Sequence, residues 1–423
     1  MEFGMPKTAV EKIIARAAGL PSVSAGDVVE AAPDFVLAYE LRGYSDRLAQ
    51  TLSIDLKQPH VFRPERIAIF VDHRVPSKSP EDEAFHQQTK AWTQGQNIQL
   101  FEREGIGHQV AAEQGYAVPG ALVVHFDSHI CQLGTFGTLA FGFSASLIAA
   151  FSAEKIHLKV PYTGRLWLSG DLRPGVTARD VIHGVIHKYG VESFRGEVVE
   201  ICGPGVDSLS LEDLQVITGL VMFTGAVSAF VAPSAAALKY TASRARLKLE
   251  PVKSDEDAVF SRTLDLDLSL LNPTVLMHPS PANAFGISEL EGLSVQAGYI
   301  GSCASGRLSD LHSAARVLKG RRVADGFSLN IIPTSKLIMA AAASDGSLAM
   351  LIEAGAFISS PSCDFCSGRI ATLGAGQRAV STGTVNTPGR MGHATSEIVT
   401  CSAAVVAASA ITGKLSDPRS YFE

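Results

Sequence analysis

Short apolar runs rich in β-branched residues alternate with helical patterns along most of this chain. Arg66–Val71 (RIAIFV), Ala121–Phe126 (ALVVHF) and Leu158–Pro161 have the composition of buried strands. Thr8–Gly19 carries apolar residues at helical spacing, and Gly19 is a typical helix stop. Strands that alternate with helices in this way favour parallel sheets covered by helices, so the pattern predicts an α/β fold.

The length of the chain requires more than one hydrophobic core. At 423 residues it exceeds the size at which a single core stops growing. We predict three α/β/α domains, at residues 1–162, 163–265 and 266–423. An irregular, proline-containing stretch at 273–281 marks the last boundary region, and strand Ala297–Ile300 follows it.

Composition narrows the possible ligands and the cellular location. Hydrophobic residues make up 46% of the chain and charged residues 18%, which indicates a well-buried globular protein. A net charge of −6 without a basic cluster argues against nucleic-acid binding, so small-molecule ligands are expected. No secretory signal is visible. The apolar stretch Gly134–Phe151 contains several glycines and hydroxyl residues, which favours a long buried helix over a membrane span. We therefore expect a cytoplasmic protein without a membrane partner.

The six cysteines are better candidates for metal binding or catalysis than for disulfides. Cys363 and Cys366 form one C-x-x-C pair, and Cys303 lies in the turn GSCASGR before a predicted helix, whose N-terminus favours a thiolate. Three thiolates from two loops would leave one iron of a [4Fe–4S] cluster open as a Lewis acid. On residue type alone each cysteine is more often a small buried residue. A zinc or redox C-x-x-C site is a further alternative, although a four-cysteine zinc site lacks its second pair.

Acidic residues and histidines follow two of the predicted strands. Asp72 and His73 come directly after RIAIFV, Asp127–His129 follows ALVVHF, and His108 lies in GIGHQV. Ligands of open α/β sheets bind beyond the carboxyl ends of strands, so these groups are expected to share one site. An Asp beside a His orients the ring and stabilises its protonated form for acid catalysis. A single His at a strand end is more often structural.

Several motifs occur together in an order that resembles the aconitase superfamily, most closely its 3-isopropylmalate dehydratase large subunits. They are GSC-x-x-x-R, C-x-x-C, DSH followed by GxxGxxxFG, and GI-x-H-x-V-x-x-E-x-G-x-x-x-PG. The resemblance covers nearly the whole chain. It implies three aconitase-type α/β/α domains and a hydro-lyase that moves water on a hydroxy carboxylic acid.

The resemblance also implies a set of site residues. A [4Fe–4S] cluster would be held by Cys303, Cys363 and Cys366, and its open iron would take the departing hydroxyl. The catalytic positions of the family match Asp72, His73, His108, Asp127 and His129. Ser128 and Arg390 match substrate-binding positions, and a planar guanidinium suits a carboxylate.

The chain departs from the family pattern at several polar positions. Gly219 and Phe223 stand where the family has Asn and Glu, while Thr384 and Val385 replace Asn and Arg. The GSCTN motif has become GSCAS. These changes predict a less polar pocket and a substrate with fewer carboxylates or a bulkier apolar part. The alternative is a degenerate paralogue with a different, aconitase X-like substrate or a non-catalytic binding role.

The family's swivelling domain has no counterpart before the chain ends, soon after Asp417–Arg419. In the family that domain carries a serine base and further arginines. The resemblance therefore implies that a separate small subunit completes the site.

Overall fold

The strands of the computed structural model, which describes residues 5–40, 60–143 and 150–422, pair into four sheets. They are β1 (Val28–Ala31), β2 (Phe35–Tyr39), β3 (Ile67–Val71), β4 (Gln99–Glu102), β5 (Leu122–His125), β6 (Leu139–Gly142), β7 (Ile156–Lys159), β8 (Thr163–Ser169), β9 (Val198–Cys202), β10 (Ser228–Phe230), β11 (Thr263–Asp267), β12 (Thr274–Leu276), β13 (Ala284–Gly286), β14 (Ala297–Ile300), β15 (Ser328–Ile331), β16 (Phe357–Ile358), β17 (Arg378–Ser381) and β18 (Glu397–Thr400).

Helices lie between most of these strands. In the described residues the α-helices are α1 (Ala9–Ala18), α2 (Pro80–Gly95), α3 (Gly107–Glu113), α4 (Ala178–Tyr189), α5 (Leu211–Leu220), α6 (Ala235–Ala242), α7 (Ile287–Leu290), α8 (Leu308–Leu318), α9 (Lys336–Ser344), α10 (Ser347–Glu353) and α11 (Ala403–Thr412). The first begins and ends as predicted: Thr8 and Glu11 form a capping box, and Gly19 closes the helix in the left-handed conformation.

The first sheet has five parallel strands in the order β4-β3-β2-β5-β6. Its central strands β2, β3 and β5 are fully buried, as their continuous apolar runs require. Because the strands run in parallel, the residues that follow them come together at one edge of the sheet. That edge carries Glu40 after β2, Asp72 after β3 and Asp127 after β5.

Two further sheets follow along the chain. The middle sheet has four parallel strands in the order β10-β9-β8-β11. The last has seven strands in the order β13-β12-β18-β17-β14-β15-β16, parallel except where β12 pairs with its two neighbours. Strands β1 and β7 form a separate antiparallel pair. The predicted α/β class with parallel sheets is therefore confirmed, whereas the exact domain limits stay a prediction.

The predicted long apolar helix over Gly134–Phe151 is wrong. A 3-10 helix over Ser128–Phe136 ends at Gly137, which has φ +73°, and β6 follows. A Cβ on Gly134 would lie 2.2 Å from the Ala229 carbonyl oxygen, so this segment packs directly on a neighbouring backbone. Residues 144–149 lie outside the described residues. Within the described ranges, no helix combines the length and apolar character needed to cross a membrane.

Candidate active site

Asp72 and His73 are held at the end of β3 by Glu40, the residue that follows β2. Glu40 Oε2 accepts the backbone N–H of Asp72 at 3.1 Å, and Oε1 accepts that of His73 at 2.8 Å. Asp72 Oδ1 lies 2.7 Å from His73 Nδ1, at ion-pair distance but without hydrogen-bond geometry. Sequence reasoning missed Glu40, although an acid directly after a buried strand is the same signal that identified Asp72.

Buried charges set the protonation of these three groups. Burial alone lowers the pKa of His73, but the negative charge of Asp72, supported by Glu40 and Asp364, raises it to about 9. Burial opposes ionisation of Asp72, yet His73 keeps the pKa of Asp72 below its ordinary value. Burial and the charge of Asp72 raise the pKa of Glu40 to about 8. At neutral pH Asp72 and His73 therefore form an ion pair, and Glu40 beside them is protonated.

The Glu40–Asp72–His73 group also has the spacing of a metal site. Each residue offers one ligand atom, and these atoms lie within 4.8 Å of one another. However, both Glu40 oxygens already accept backbone N–H groups, and Asp72 Oδ2 accepts the backbone N–H of Gly107 at 2.7 Å. We therefore interpret Glu40 and Asp72 as residues that fix the backbone of His73 and the start of α3.

His108 is brought to the same edge by the first turn of α3. A Cβ on Gly107 would lie 2.8 Å from Phe70 Cβ, so the preceding position has room only for glycine. The His108 ring is buried, and burial lowers its pKa, which favours a neutral imidazole. Its Nε2 lies 3.8 Å from Asp127 Oδ1, and its ring centroid lies 6.5 Å from that of His129.

Asp127 fixes the ring of His129. Asp127 Oδ1 lies 2.7 Å from the backbone N of His129 and 2.8 Å from its Nδ1. Although burial opposes ionisation, the charge of His129 holds the pKa of Asp127 well below its ordinary value. His129 Nε2 has no hydrogen-bond partner in the described ranges, so this nitrogen is free to make a further contact. Ser128 Oγ lies 3.6 Å from Met222 Sδ.

His125, at the end of β5, was not singled out by the sequence analysis. Its Nδ1 accepts the backbone N–H of Asp127 at 2.9 Å, so it supports the turn that carries Asp127. Its ring centroid lies 4.9 Å from that of His108. Burial, with the charge of His108, lowers the pKa of His125 to about 3. The ring is therefore neutral, and it acts as a hydrogen-bond acceptor.

Cys303, Cys363 and Cys366 share one buried environment and form no disulfide. Cys303 and Cys366 are each 5% exposed, and Cys363 is half-buried. Burial, followed by the charge of Cys366, raises the pKa of Cys303 well above its ordinary value. Burial and the charges of Asp72 and Cys303 do the same for Cys363. Thiolates at Cys303 and Cys363 are thus disfavoured, and a bound cation would be needed to stabilise them.

Two glycines let the backbone next to the cysteines pack closely against its neighbours. Gly301 has φ +135°, and a Cβ there would lie 2.4 Å from the Ile332 carbonyl oxygen. This turn connects β14 to Cys303. A Cβ on Gly383 would lie 3.6 Å from Cys366 Sγ, so the loop after β17 lies directly against that thiol. The strand-to-turn location predicted for Cys303 is confirmed.

Asp364, inside the C-x-x-C segment, joins the cysteines to the Asp72–His73 loop. Its side chain is fully buried, and its two oxygens accept the backbone N–H groups of Arg74 and Val75 at 2.9 and 3.0 Å. The backbone N–H of Cys363 donates to the Asp72 carbonyl oxygen at 2.7 Å. These contacts join positions about 290 residues apart in the chain, so no local pattern could have identified them.

Asp364→Ala is expected to lower the free energy of unfolding of the metal-free chain by about 2 kcal/mol, because it leaves two enclosed N–H groups without an acceptor. Urea denaturation measures this loss. Asp267→Ala is a matched control: that carboxylate accepts the backbone N–H of Ser269 at 2.9 Å in a solvent-exposed turn, and its removal should have a smaller effect. Equal losses for the two variants would contradict the role given to Asp364.

Two buried neutral histidines should make the chain sensitive to acid. Burial lowers the pKa of both His125 and His183 to about 3, below the ordinary value of 6.5. Between these values the unfolded chain binds more protons, so stability falls as the pH drops below about 6.5. Each histidine should contribute a slope of about 1.4 kcal/mol per pH unit.

Urea denaturation between neutral and mildly acidic pH measures this slope. His183→Asn should remove one histidine's share of it, whereas His157→Asn, at an exposed ring, should leave it unchanged. An unchanged slope in His183→Asn would contradict the prediction.

The structure also locates three other residues that the sequence analysis singled out, Arg390, Phe223 and Gly219. Arg390 is on an exposed turn between β17 and β18, and its guanidinium makes no hydrogen bond or ion pair within the described part of the chain. Phe223 packs against the apolar core of the middle sheet. A Cβ on Gly219 would lie 3.4 Å from Cβ of Gln132, a residue that the sequence analysis did not consider.

Comparison with known proteins gives a consistent set of matches. A sequence profile of the aconitase family (aconitate hydratase) matches residues 50–292 and 287–413. The chain is 37% identical over 421 residues to the 3-isopropylmalate dehydratase large subunit 1 of Methanopyrus kandleri, covering 99% of this chain and 100% of that protein. It is 35% identical to the same-named subunit of Pyrococcus furiosus, covering 97% and 98%. The holo-form of Thermococcus kodakaraensis aconitase X matches 89% of both chains with a TM-score of 0.49 at 11% identity.

Proposed function

The chain belongs to the aconitase family and is a hydro-lyase, and from this premise we propose that it is the large subunit of a dehydratase acting on a hydroxy carboxylic acid. The observation that carries the proposal is the convergence of two Asp/His pairs and His108 at one edge of the first sheet. Within this group, His129 Nε2 and both His108 ring nitrogens have no hydrogen-bond partner among the described residues.

We propose that Cys303, Cys363 and Cys366 hold a [4Fe–4S] cluster. Three observations support the fit: the thiols are free, they are largely enclosed, and their charges act on one another. Among the described residues, some buried polar atoms of these segments also lack a hydrogen-bond partner, including Ser305 Oγ and Ser362 Oγ. When bound, a cluster with three protein ligands would supply a Lewis acid for the departing hydroxyl.

The chain's own residues would handle the protons. Asp127 holds Nδ1 of His129, which fixes the ring to exchange a proton at Nε2. His73, with a pKa of about 9, stays protonated at neutral pH and would stabilise negative charge that develops on the substrate. His108 is favoured in its neutral form and is available as a hydrogen-bond partner. Ser128 and Arg390 are proposed to bind substrate carboxylate.

A separate small subunit is proposed to complete the site. The relatives that match nearly the whole chain are named as large subunits. In addition, Arg390 lies on an exposed turn, where an incoming subunit could enclose it together with the substrate. Phe223 and Val385, at positions that are polar in the family, support a substrate with an apolar part. The same replacements motivate the alternative of a binding protein without turnover.

The test is anaerobic reconstitution of the full chain with iron and sulfide, alone and co-expressed with a small swivel-domain subunit encoded by a neighbouring gene. We expect iron and sulfide in the ratio of a [4Fe–4S] cluster, and water loss from at least one member of a panel of hydroxy acids. Iron uptake with no turnover on any substrate would favour the non-catalytic role. Zinc without sulfide would overturn the cluster.

A further inference from the structure

Arg307 and Gln132 form a fully enclosed pair beside Cys303. The exposed fraction of both side chains is 0%. Arg307, which caps the N-terminus of α8, donates from Nη2 to Gln132 Oε1 and, at 3.0 Å, to the carbonyl oxygen of Cys303. Gln132 lies on the 3-10 helix that also carries His129. The pair therefore connects the segments of a cysteine and a histidine of the proposed site.

The remaining donors of this pair are unused. Arg307 Nε and Nη1 and Gln132 Nε2 have no hydrogen-bond partner among the described residues. No described carboxylate lies within ion-pair distance of the guanidinium, and Asp310, Glu212 and Glu113 act on it only from farther away. A buried cation with unpaired donors is strongly unfavourable unless an anion accepts from it. The three unused donors of these enclosed side chains therefore indicate that an anionic acceptor binds beside Cys303.

We propose that Arg307 and Gln132 donate hydrogen bonds to sulfur of the cluster at Cys303, and so set its retention and its reduction potential. The inference rests on the proposed function, because it requires the cluster. A substrate carboxylate would offer the same acceptor chemistry. Burial of the donors favours cluster sulfur over a substrate carboxylate as the acceptor. A diffusing substrate reaches exposed atoms, whereas Arg307 and Gln132 are as enclosed as Cys303 itself.

Gly219 leaves the space that this arrangement needs. A Cβ at this position would already lie 3.4 Å from Gln132 Cβ, so a larger side chain would compete with Gln132. The polar residue that the family has at this position is thus absent from α5. The Gln132 amide, on the 3-10 helix, accepts from Arg307, which also donates to the Cys303 carbonyl oxygen.

Positive charge and hydrogen bonds at the sulfurs stabilise the more negative, reduced state of a cluster. Gln132→Leu and the double variant Arg307→Met/Gln132→Leu are therefore expected to give a more negative reduction potential. Loss of iron to a chelator should become about tenfold faster, the usual effect of removing an outer-sphere partner. Both are measured on the reconstituted full chain without substrate.

A second measurement separates this role from a structural one. The double variant removes a buried cation that has no ion pair, together with one hydrogen bond to the Cys303 carbonyl oxygen, so the melting temperature of the metal-free chain should fall less than in a variant that loses two such bonds. Arg179→Met is the matched control: Arg179 is 3% exposed, but it donates to the Thr382 and Gly383 carbonyl oxygens, so its loss should lower the melting temperature.

Three results would overturn the inference. The first is a double variant with wild-type potential and iron retention. The second is a loss of metal-free stability like that of Arg179→Met. The third is a raised KM with an unchanged potential, which would assign the donors to the substrate. A wild-type chain that takes up no iron would remove the proposed cluster as well, which distinguishes that failure from the other three.

Discussion

Asp127→Asn is expected to lower kcat by about 10²- to 10⁴-fold, the range typical for loss of a positioned acid–base group, while iron content stays unchanged. Asp127 Oδ1 contacts both the backbone N and the Nδ1 of His129, at 2.7 and 2.8 Å. An amide keeps the size of the side chain but removes its negative charge. The ring of His129 then loses the carboxylate that fixes its orientation.

The measurement pairs steady-state kinetics with metal analysis on the reconstituted enzyme. Asp255→Asn is the matched control. Asp255 also accepts a backbone N–H, that of Lys7 at 2.8 Å, but neither residue belongs to the proposed site. It should keep wild-type kcat. If Asp127→Asn also keeps wild-type kcat, the Asp127–His129 pair has no part in proton transfer.

The sequence predicted the sheet edge that carries the two Asp/His pairs, because the signal for this edge lies within each strand and the residues directly after it. An acid or histidine that follows a buried parallel strand lies at the strand's carboxyl end, whichever neighbours the strand has. Asp72, His73, Asp127 and His129 were found in this way, and Glu40 obeys the same rule. The rule identifies the place, whereas the role of each side chain depends on contacts made within the fold.

The features that the sequence analysis did not predict depend on contacts with residues far away in the chain. Asp364 is defined by the N–H groups of Arg74 and Val75, and the Arg307–Gln132 pair joins positions 175 residues apart. The apolar stretch from Gly134 is not the predicted helix, because Gly134 packs on the backbone of β10, which lies about a hundred residues farther along the chain, and Gly142 packs on the backbone of Ser128. No periodicity within the stretch carries that information.

The C-x-x-C segment and the Asp72–His73 loop behave as one unit. The Cys363 N–H binds the Asp72 carbonyl oxygen, and Asp364 holds the two residues after His73. The position of His73 is therefore coupled to that of the cysteines. If the cysteines hold metal as proposed, its binding should consequently affect the position of His73 through the backbone.

Cys366→Ser is expected to abolish stable iron binding and to lower kcat by about 10³-fold or more. A serine hydroxyl is a poor substitute for a thiolate, and metal assistance supplies several kcal/mol to such reactions. Cys202→Ser is the matched control, because Cys202 is half-buried at the end of β9 and lies outside the proposed ligand set. It should retain both iron and turnover.

The pair of variants also separates the remaining alternatives. A non-catalytic cluster protein would lose iron in Cys366→Ser but would show no turnover in the wild type. A redox C-x-x-C protein would lose thiol–disulfide exchange in Cys366→Ser and would hold no sulfide. A Cys366→Ser variant that keeps both iron and wild-type turnover would exclude Cys366 as a ligand, and it would leave the two Asp/His pairs to act without the thiols.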